Sequence, residues 1–134
     1  MSTREQNLAV LTGYFDAMAA GGPPAAMPFY HPDVTLEVPG THPASGTYRG
    51  HEGVAAFGAT MAALTDRSFR LAPIDLLASD DHVVTIATAS ATVNGAELSW
   101  QRVIVSQVAD DMLVHLRFYE SDQAAVDELL GGTR

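Results

Sequence analysis

Apolar residues recur every three or four positions near the start of the chain. Leu11, Phe15 and Met18 fall on one helical face, behind serine and threonine residues that can act as N-caps. Two glycines and two prolines follow, a combination that is typical of a helix end. The pattern predicts a helix over residues 3–20 and a second, short helix over residues 24–30, with proline in its first turn.

The apolar spacing then changes to alternation. Because the residue before a proline avoids the helical region, a turn is predicted at residues 31–33. Residues 34–38 alternate between polar and apolar side chains and are predicted as a strand. Leu36 and Val38 share one face of that strand, and Glu37 lies on the other.

A second helical stripe follows a polar segment. Residues 39–50 are rich in Pro, Gly, Ser and Thr and are predicted as a loop. Residues 50–64 place Phe57 and Met61 four positions apart, so they are predicted as the third helix.

The C-terminal half contains four strand-like stretches and a short helical tail. Asn94-Gly95 separates the second stretch from the third and is a strong signal for a two-residue hairpin turn. Helices followed by an antiparallel meander indicate the α+β class, with N-terminal helices packed on a curved antiparallel sheet in a single domain over residues 1–134. The predicted strands cover residues 68–79, 83–93, 96–108 and 113–119, and the predicted tail helix covers residues 122–130.

The composition excludes several functional classes. The 134 residues carry a net charge of −9 and contain neither lysine nor cysteine. Such a surface repels phosphate backbones and anionic lipids, so no nucleic acid and no membrane is expected as a partner. The missing cysteine excludes disulfides and a cysteine nucleophile, and the missing lysine excludes Schiff-base chemistry. Since no apolar run approaches the roughly 18 residues that span a bilayer and the N-terminus lacks a signal-peptide core, a cytoplasmic location is expected.

Several short motifs along the chain carry a family resemblance. They lie at residues 29–34 (Phe-Tyr-His-Pro-Asp-Val), 38–40 (Val-Pro-Gly), 46–50 (Gly-Thr-Tyr-Arg-Gly) and 116–119 (Leu-Arg-Phe-Tyr). With these motifs the sequence resembles the SnoaL-like branch of the nuclear transport factor 2-like superfamily, which includes ketosteroid isomerases, polyketide cyclases and limonene-epoxide hydrolases. The resemblance implies a cone-shaped α+β barrel around one apolar pocket, and often a dimer through the open sheet face.

The resemblance also assigns the faces of the last strands. Trp100, Arg102 and Ile104 are placed inside the cone, and so are Leu116, Phe118 and Glu120, although a slip of one residue would reverse every assignment. Residues of the opposite parity face outward, toward a partner copy in a homodimer. The expected interface residues are Gln101, His115, Arg117 and Tyr119.

Two aromatic residues are candidate hydrogen-bond donors. Tyr14 lies where ketosteroid isomerases place their oxyanion-hole tyrosine, and Trp100 lies where they place a second donor, which is an acid there. An indole N–H donates only as a neutral group. The alternative is that Tyr14 packs its ring with a wetted hydroxyl and that Trp100 is only a pocket wall.

Arg102 and the carboxylates near it are the remaining main candidates. A guanidinium on an inward face needs a partner, and Glu120 on the neighbouring strand is one, with Glu97 or Asp122 as alternatives at the rim. The pair could anchor a carbonyl or an acid of the substrate. Glu120 is the candidate general base, and Asp122 has a similar claim because SnoaL-like cyclases place an Asp near the end of this strand. The alternatives are an arginine that reaches water and a solvated carboxylate at a strand end.

His42 lies in the loop expected to overhang the pocket and could act as an acid or base near neutral pH. No pair of histidines has ligand spacing, so no metal site is expected, and proton transfer alone requires no cofactor. The expected ligand-binding wall is apolar. It comprises Phe15, Met18, Leu36, Val38, Phe57, Met61, Ile104, Leu116 and Phe118.

The sequence departs from the known catalytic sets of these relatives. Val38 stands where the isomerases have their catalytic Asp, and Phe118 stands where the epoxide hydrolases have an Asp. Two functions therefore remain. The first is an enzyme that performs cofactor-free acid–base chemistry, such as cyclisation, isomerisation or dehydration, on a small hydrophobic carbonyl compound. The alternative is a non-catalytic small-ligand-binding or dimerising protein of the same fold.

Overall fold

A computed structural model describes residues 3–131, beginning with a helical stretch that the non-helical residue Gly22 divides in two. Helix α1 (Arg4–Ala26) starts at a capping box in which Thr3 and Gln6 satisfy each other's backbone N–H groups. The end predicted at residue 20 is confirmed to within about one residue, because Gly22 has a non-helical φ of 72° and ψ of −165° that divides Arg4–Ala26 into two helices. The short helix predicted over 24–30 corresponds to the second of these, which has proline in its first turn and ends at Ala26, followed by a 3₁₀ turn at Met27–Phe29.

Strand β1 (Tyr30–Val38) starts earlier than the alternation predicts. The predicted turn at 31–33 is instead an irregular part of this strand. Its register against a neighbouring strand shifts between Tyr30 and Thr35. Pro32 has no N–H to give to a sheet ladder, and such an irregular stretch tolerates it.

The segment predicted as a loop over 39–50 contains a further strand. Strand β2 (Gly46–Arg49) pairs antiparallel with β1 in a register that joins Val38 to Gly46. Backbone pairing therefore overrides a polar composition that is typical of loops. Helix α2 (Gly50–Thr65) follows directly and matches its prediction to within one residue.

The remaining strands form the predicted meander. Strands β3 (Arg70–Ala78), β4 (His82–Val93), β5 (Ala96–Ala109) and β6 (Met112–Glu120) pair in sequence, and helix α3 (Gln123–Leu129) ends the described chain. Asn94 and Gly95 form the β4–β5 turn with φ values of 51° and 81°, as expected for the predicted hairpin.

The six strands make one curved sheet in the order β2-β1-β6-β5-β4-β3. In residues 3–131, β2 and β3 are its two edges, so the sheet is not closed. The pairing of β1 with β6 is parallel, whereas the other pairings are antiparallel, and the sheet is therefore mixed rather than antiparallel throughout. The fold is the predicted α+β cone.

Alternation in the long strands sets the core. On β4, buried positions fall at every second residue from Val83 to Ala91, and on β5 they fall likewise from Trp100 to Val108. Helices α1 and α2 cover this inner face of the sheet, while α3 packs Val126 into the cluster that buries Trp100. In the part of the chain that the structure describes, no helix is both long and apolar enough to cross a membrane.

Candidate functional site

The cone encloses a cavity of about 960 Å³ between α1, α2 and the inner face of the sheet. Most of its wall is apolar. Of the residues predicted to line it, Val38 does not, because it is buried in the core beyond the cavity. The other residues predicted for the wall line the cavity, and their role in binding a ligand remains a prediction: Phe15, Met18, Leu36, Phe57, Met61, Ile104, Leu116 and Phe118.

Arg102 is the one cation on the deep wall among the described residues. It lies on β5 between Ala87 of β4, which has a small side chain, and Glu120 of β6. Its Nε donates to Oε1 of Glu120 at 2.8 Å and its Nη2 donates to Oε2 at 2.9 Å. The guanidinium also lies over the ring of Phe118, with 4.3 Å from Cζ to the ring centroid. Arg102 is only 3% exposed, so the bidentate pair compensates a charge that is removed from water.

Glu120 lies behind Arg102 and does not line the cavity. Trp100 also stands outside the lining, and its indole Nε1 donates to Oε2 of Glu120 at 3.2 Å. Both carboxylate oxygens of Glu120 therefore already accept hydrogen bonds. In this geometry Trp100 holds the ion pair rather than facing a ligand, and Glu120 neutralises Arg102. The roles predicted for Trp100 and Glu120 in catalysis remain predictions.

Tyr14 lines the cavity together with Tyr30, which no sequence pattern indicated as a site residue. The hydroxyls of Tyr14 and Tyr30 lie 2.7 Å apart. Burial raises the pKa of Tyr14, and burial together with the neighbouring Tyr14 raises the pKa of Tyr30 well above its usual value. Both phenols are therefore protonated near neutral pH, and the pair keeps one O–H hydrogen that can be donated into the cavity.

Two further polar residues of the wall were missed. Thr85 of β4 and Ser106 of β5 are each 2% exposed and line the cavity. Neither hydroxyl is a buried polar atom that lacks a partner, since among residues 3–131 only Oδ1 of Asn7 is. Alternation places both residues on the inner face of the sheet. It does not indicate a binding role, because short polar side chains also occur in a packed core.

His42 and Asp122 lie outside the cavity lining. His42 is buried in the loop after β1, where its Nδ1 accepts a hydrogen bond from the backbone N–H of Ala44 at 3.2 Å. Burial lowers the pKa of His42, against the raising influence of Asp127 and Glu120. Asp122 is the N-cap of α3 and accepts from the backbone N–H of Ala125. Their predicted catalytic roles remain predictions.

The charges around the cavity are unevenly distributed. Arg102 lines its wall, and the exposed Arg67 and Arg70 lie on the lining near α2 and β3. Among the described residues, none of those that line the cavity is Asp, Glu or His. Over the same residues no cluster of three or more His, Asp or Glu side chains could hold a metal ion. The cavity can therefore donate hydrogen bonds to an oxygen atom but offers no carboxylate or imidazole as a base.

The outer face of the sheet carries the residues predicted for a dimer interface. Glu37 accepts from Arg117 at 2.7 Å and contacts Nε2 of His115 at 2.5 Å. Tyr119 is 51% exposed beside them, and Gln101 is exposed on β5. The outward parity of these side chains matches its prediction, because β5 and β6 pair in the expected register.

Comparisons with known proteins agree with this architecture. An uncharacterized protein of Mycobacterium tuberculosis strain H37Rv is 28% identical over 126 residues, covering 93% of this chain and 96% of its own. Bal32a, from a soil-derived mobile gene cassette, has a TM-score of 0.87 at 23% identity, over 95% of this chain and 98% of its own. TerC, co-crystallized with polyporic acid, has a TM-score of 0.82 at 21% identity, over 95% of this chain and 99% of its own. Residues 11–116 match the SnoaL-like domain profile, and the chain therefore belongs to the SnoaL-like domain family.

Proposed function

We propose that the cone binds a small hydrophobic molecule that carries a carbonyl group, and that Arg102 holds the carbonyl oxygen. One observation supports the proposal above the others. The Nη1 group of this buried arginine has no hydrogen-bond partner among the described residues, although the arginine lines the cavity. Pairing with Glu120 uses two of the five guanidinium N–H groups, which leaves donors for a ligand.

The charge balance of the site favours a neutral carbonyl oxygen over a full anion. Glu120 compensates the charge of Arg102 at hydrogen-bond distance, so the pair acts as a polarised donor with little net charge. The phenols of Tyr14 and Tyr30 are neutral donors as well. An apolar wall with a few placed donors is the usual design of a small-molecule pocket, and a volume of about 960 Å³ fits that class. TerC, which has the same fold and was co-crystallized with polyporic acid, supports a small organic ligand by analogy.

A matched pair of probes tests the carbonyl anchor. 4-Acetylbiphenyl and 4-isopropenylbiphenyl have nearly the same shape, but only the ketone offers an oxygen acceptor. A hydrogen bond from a charged donor contributes about 1.5–3 kcal/mol, so the ketone should bind about ten- to a hundredfold more tightly. Titration calorimetry measures both dissociation constants.

The double variant Arg102→Leu/Glu120→Leu removes the ion pair as a unit and should abolish the preference for the ketone. Trp100→Phe is its control, since Trp100 contacts Glu120 but does not line the cavity, and this variant should keep the preference. Equal affinities of ketone and alkene for the wild-type protein would contradict the proposal, as would a preference that survives in the double variant.

The second candidate function is cofactor-free proton transfer on the same ligand, as in the cyclases and isomerases of the superfamily. The Tyr14–Tyr30 pair favours it, because a buried phenol pair can donate to an oxygen that gains negative charge in an enolate. Proton transfer requires a general base, and no clear base faces the ligand in the described part of the cavity. Glu120 is already a triple acceptor behind Arg102, and no cavity-lining carboxylate is described. Binding is for this reason the primary proposal.

Deuterium exchange separates the two candidate functions. In deuterated buffer, an enzyme that forms the enolate should exchange the acetyl protons of 4-acetylbiphenyl, which NMR detects directly. Tyr14→Phe should slow that exchange by at least about a hundredfold, the contribution typical of a positioned acid. Tight binding of the ketone without exchange above the buffer rate would rule out proton transfer and leave the binding function.

We also propose that two copies pair through the outer sheet face. Ile86, Val103 and Tyr119 lie side by side on β4, β5 and β6, and Tyr119 is half exposed. The charged contacts of Glu37 and Arg117 flank this apolar row. An apolar centre with a charged rim is the composition of a homodimer interface.

A further inference from the structure

We propose that the ligand carries a second oxygen function, preferably a hydroxyl group, which Thr85 and Ser106 bind at the end of the cavity away from Arg102. The inference rests on the proposed carbonyl anchor and extends it to the substrate class. The predicted ligand is an elongated apolar molecule with a carbonyl at one end and a hydroxyl toward the other.

The two hydroxyls form one polar spot in an apolar wall. Thr85 pairs with Ile104 across the sheet, and Ser106 is two residues further along the same face of β5, so the two side chains are diagonal neighbours. Each residue is 98% buried and each lines the cavity, so the two hydroxyls are the polar groups of this part of its wall. A hydroxyl on the wall of an apolar cavity can donate to, or accept from, a ligand oxygen that occupies this position.

The position of this spot fixes the shape of the ligand. Ser106 and Arg102 are four residues apart on one face of the same strand, or about 13 Å between their Cα atoms. Ile104 lies between them, and Leu116 and Phe118 of β6 face it from the neighbouring strand. The wall between the two polar groups is therefore apolar, which matches a rigid hydrocarbon or aromatic centre.

A hydroxyl is the preferred second group because the spot both donates and accepts. Serine and threonine hydroxyls each carry one donor hydrogen and two acceptor lone pairs. No charged residue is their direct cross-strand partner, since these partners are Leu76, Ile104, Val83 and Leu116. A carboxylate at this place would be buried without compensation, whereas a neutral hydroxyl can be fully satisfied.

The test compares 4-acetyl-4′-hydroxybiphenyl with 4-acetylbiphenyl by titration calorimetry on the full chain. One net neutral hydrogen bond should make the hydroxylated ketone bind about 2- to 12-fold more tightly to the wild-type protein. In Thr85→Val/Ser106→Ala the affinity ratio should fall to about one. Because only the ratio is used, changes in cavity shape that affect both ligands cancel.

Thr65→Val is the matched control. Thr65 also lines the cavity, but its hydroxyl already donates to the carbonyl of Met61 at 2.8 Å, so this variant should keep the wild-type ratio. A ratio near one in the wild-type protein, or a wild-type ratio in Thr85→Val/Ser106→Ala, would overturn the inference. Failure of the ketone to bind better than its alkene isostere would instead contradict the carbonyl anchor, so the two claims fail separately. Single Ser106→Ala, which removes one oxygen atom only, should lower the ratio partly and serves if the double variant does not fold.

Discussion

Replacing Glu120 with glutamine should destabilise the fold strongly. The change leaves Arg102 buried without its counter-charge, and it puts an amide N–H₂ where the carboxylate now accepts from Arg102 and Trp100. Breaking a buried ion pair on one side costs about 3–5 kcal/mol. For an m-value of about 2 kcal/mol/M in urea, the midpoint should fall by about 2 M. Urea denaturation followed by tryptophan fluorescence at pH 7 measures the shift.

Two controls decide whether the burial of the pair causes the loss. Glu37→Gln breaks a second Glu–Arg pair in the same sheet, but on the outer face, where solvent screens Glu37 and Arg117. Its effect should be much smaller. Arg102→Leu/Glu120→Leu removes both charges and should be more stable than Glu120→Gln, because no uncompensated charge remains. If Glu120→Gln lowers the free energy of unfolding no more than Glu37→Gln does, the burial of the Arg102–Glu120 pair is not the cause of the loss.

Two further predictions concern pH and assembly. Burial lowers the pKa of His42, so its contribution to the free energy of unfolding is complete above the unfolded pKa of about 6.5 and is lost as pH falls through the lower folded value. His42→Asn keeps an acceptor for the Ala44 N–H but cannot titrate. In this variant the urea midpoint should fall less between pH 7.5 and pH 5 than it does in the wild type. An equal fall in both proteins would contradict the assignment to His42. Tyr119→Lys should convert the proposed dimer to a monomer, as measured by sedimentation velocity. Leu8→Lys, which changes another exposed apolar residue, should leave the dimer intact. A wild-type protein that sediments only as a monomer at micromolar concentration would refute the dimer.

The sequence predicted the parts of the fold that local pattern determines. Alternation grouped Arg102 and Glu120 with the other residues of their strand faces, and the family resemblance placed those faces inside. Asn94-Gly95 marked its hairpin, because a turn signal acts between near neighbours. Strand β2 was missed because its residues are typical of loops, and its pairing with β1 stabilises it. The break at Gly22 was predicted correctly, because glycine and proline interrupt a helix by local backbone geometry.

The site was less predictable than the fold. That Glu120 lies behind Arg102 and not beside the cavity depends on rotamers and on the donor from Trp100, which no spacing encodes. Tyr30 was missed because its partner Tyr14 lies on another element, 16 residues away. Thr85 has inward parity like its neighbours, and only its position on the cavity wall distinguishes it from core packing.

A crystal structure of the protein with 4-acetyl-4′-hydroxybiphenyl would show directly whether Arg102 holds the carbonyl oxygen of a ligand in the cavity. We expect the ketone oxygen within hydrogen-bond distance of Nη1 of Arg102, with the Glu120 pair intact, and the hydroxyl beside Thr85 and Ser106. A ligand bound in the cavity with its ketone oxygen turned away from Arg102, or bound outside the cavity, would contradict it.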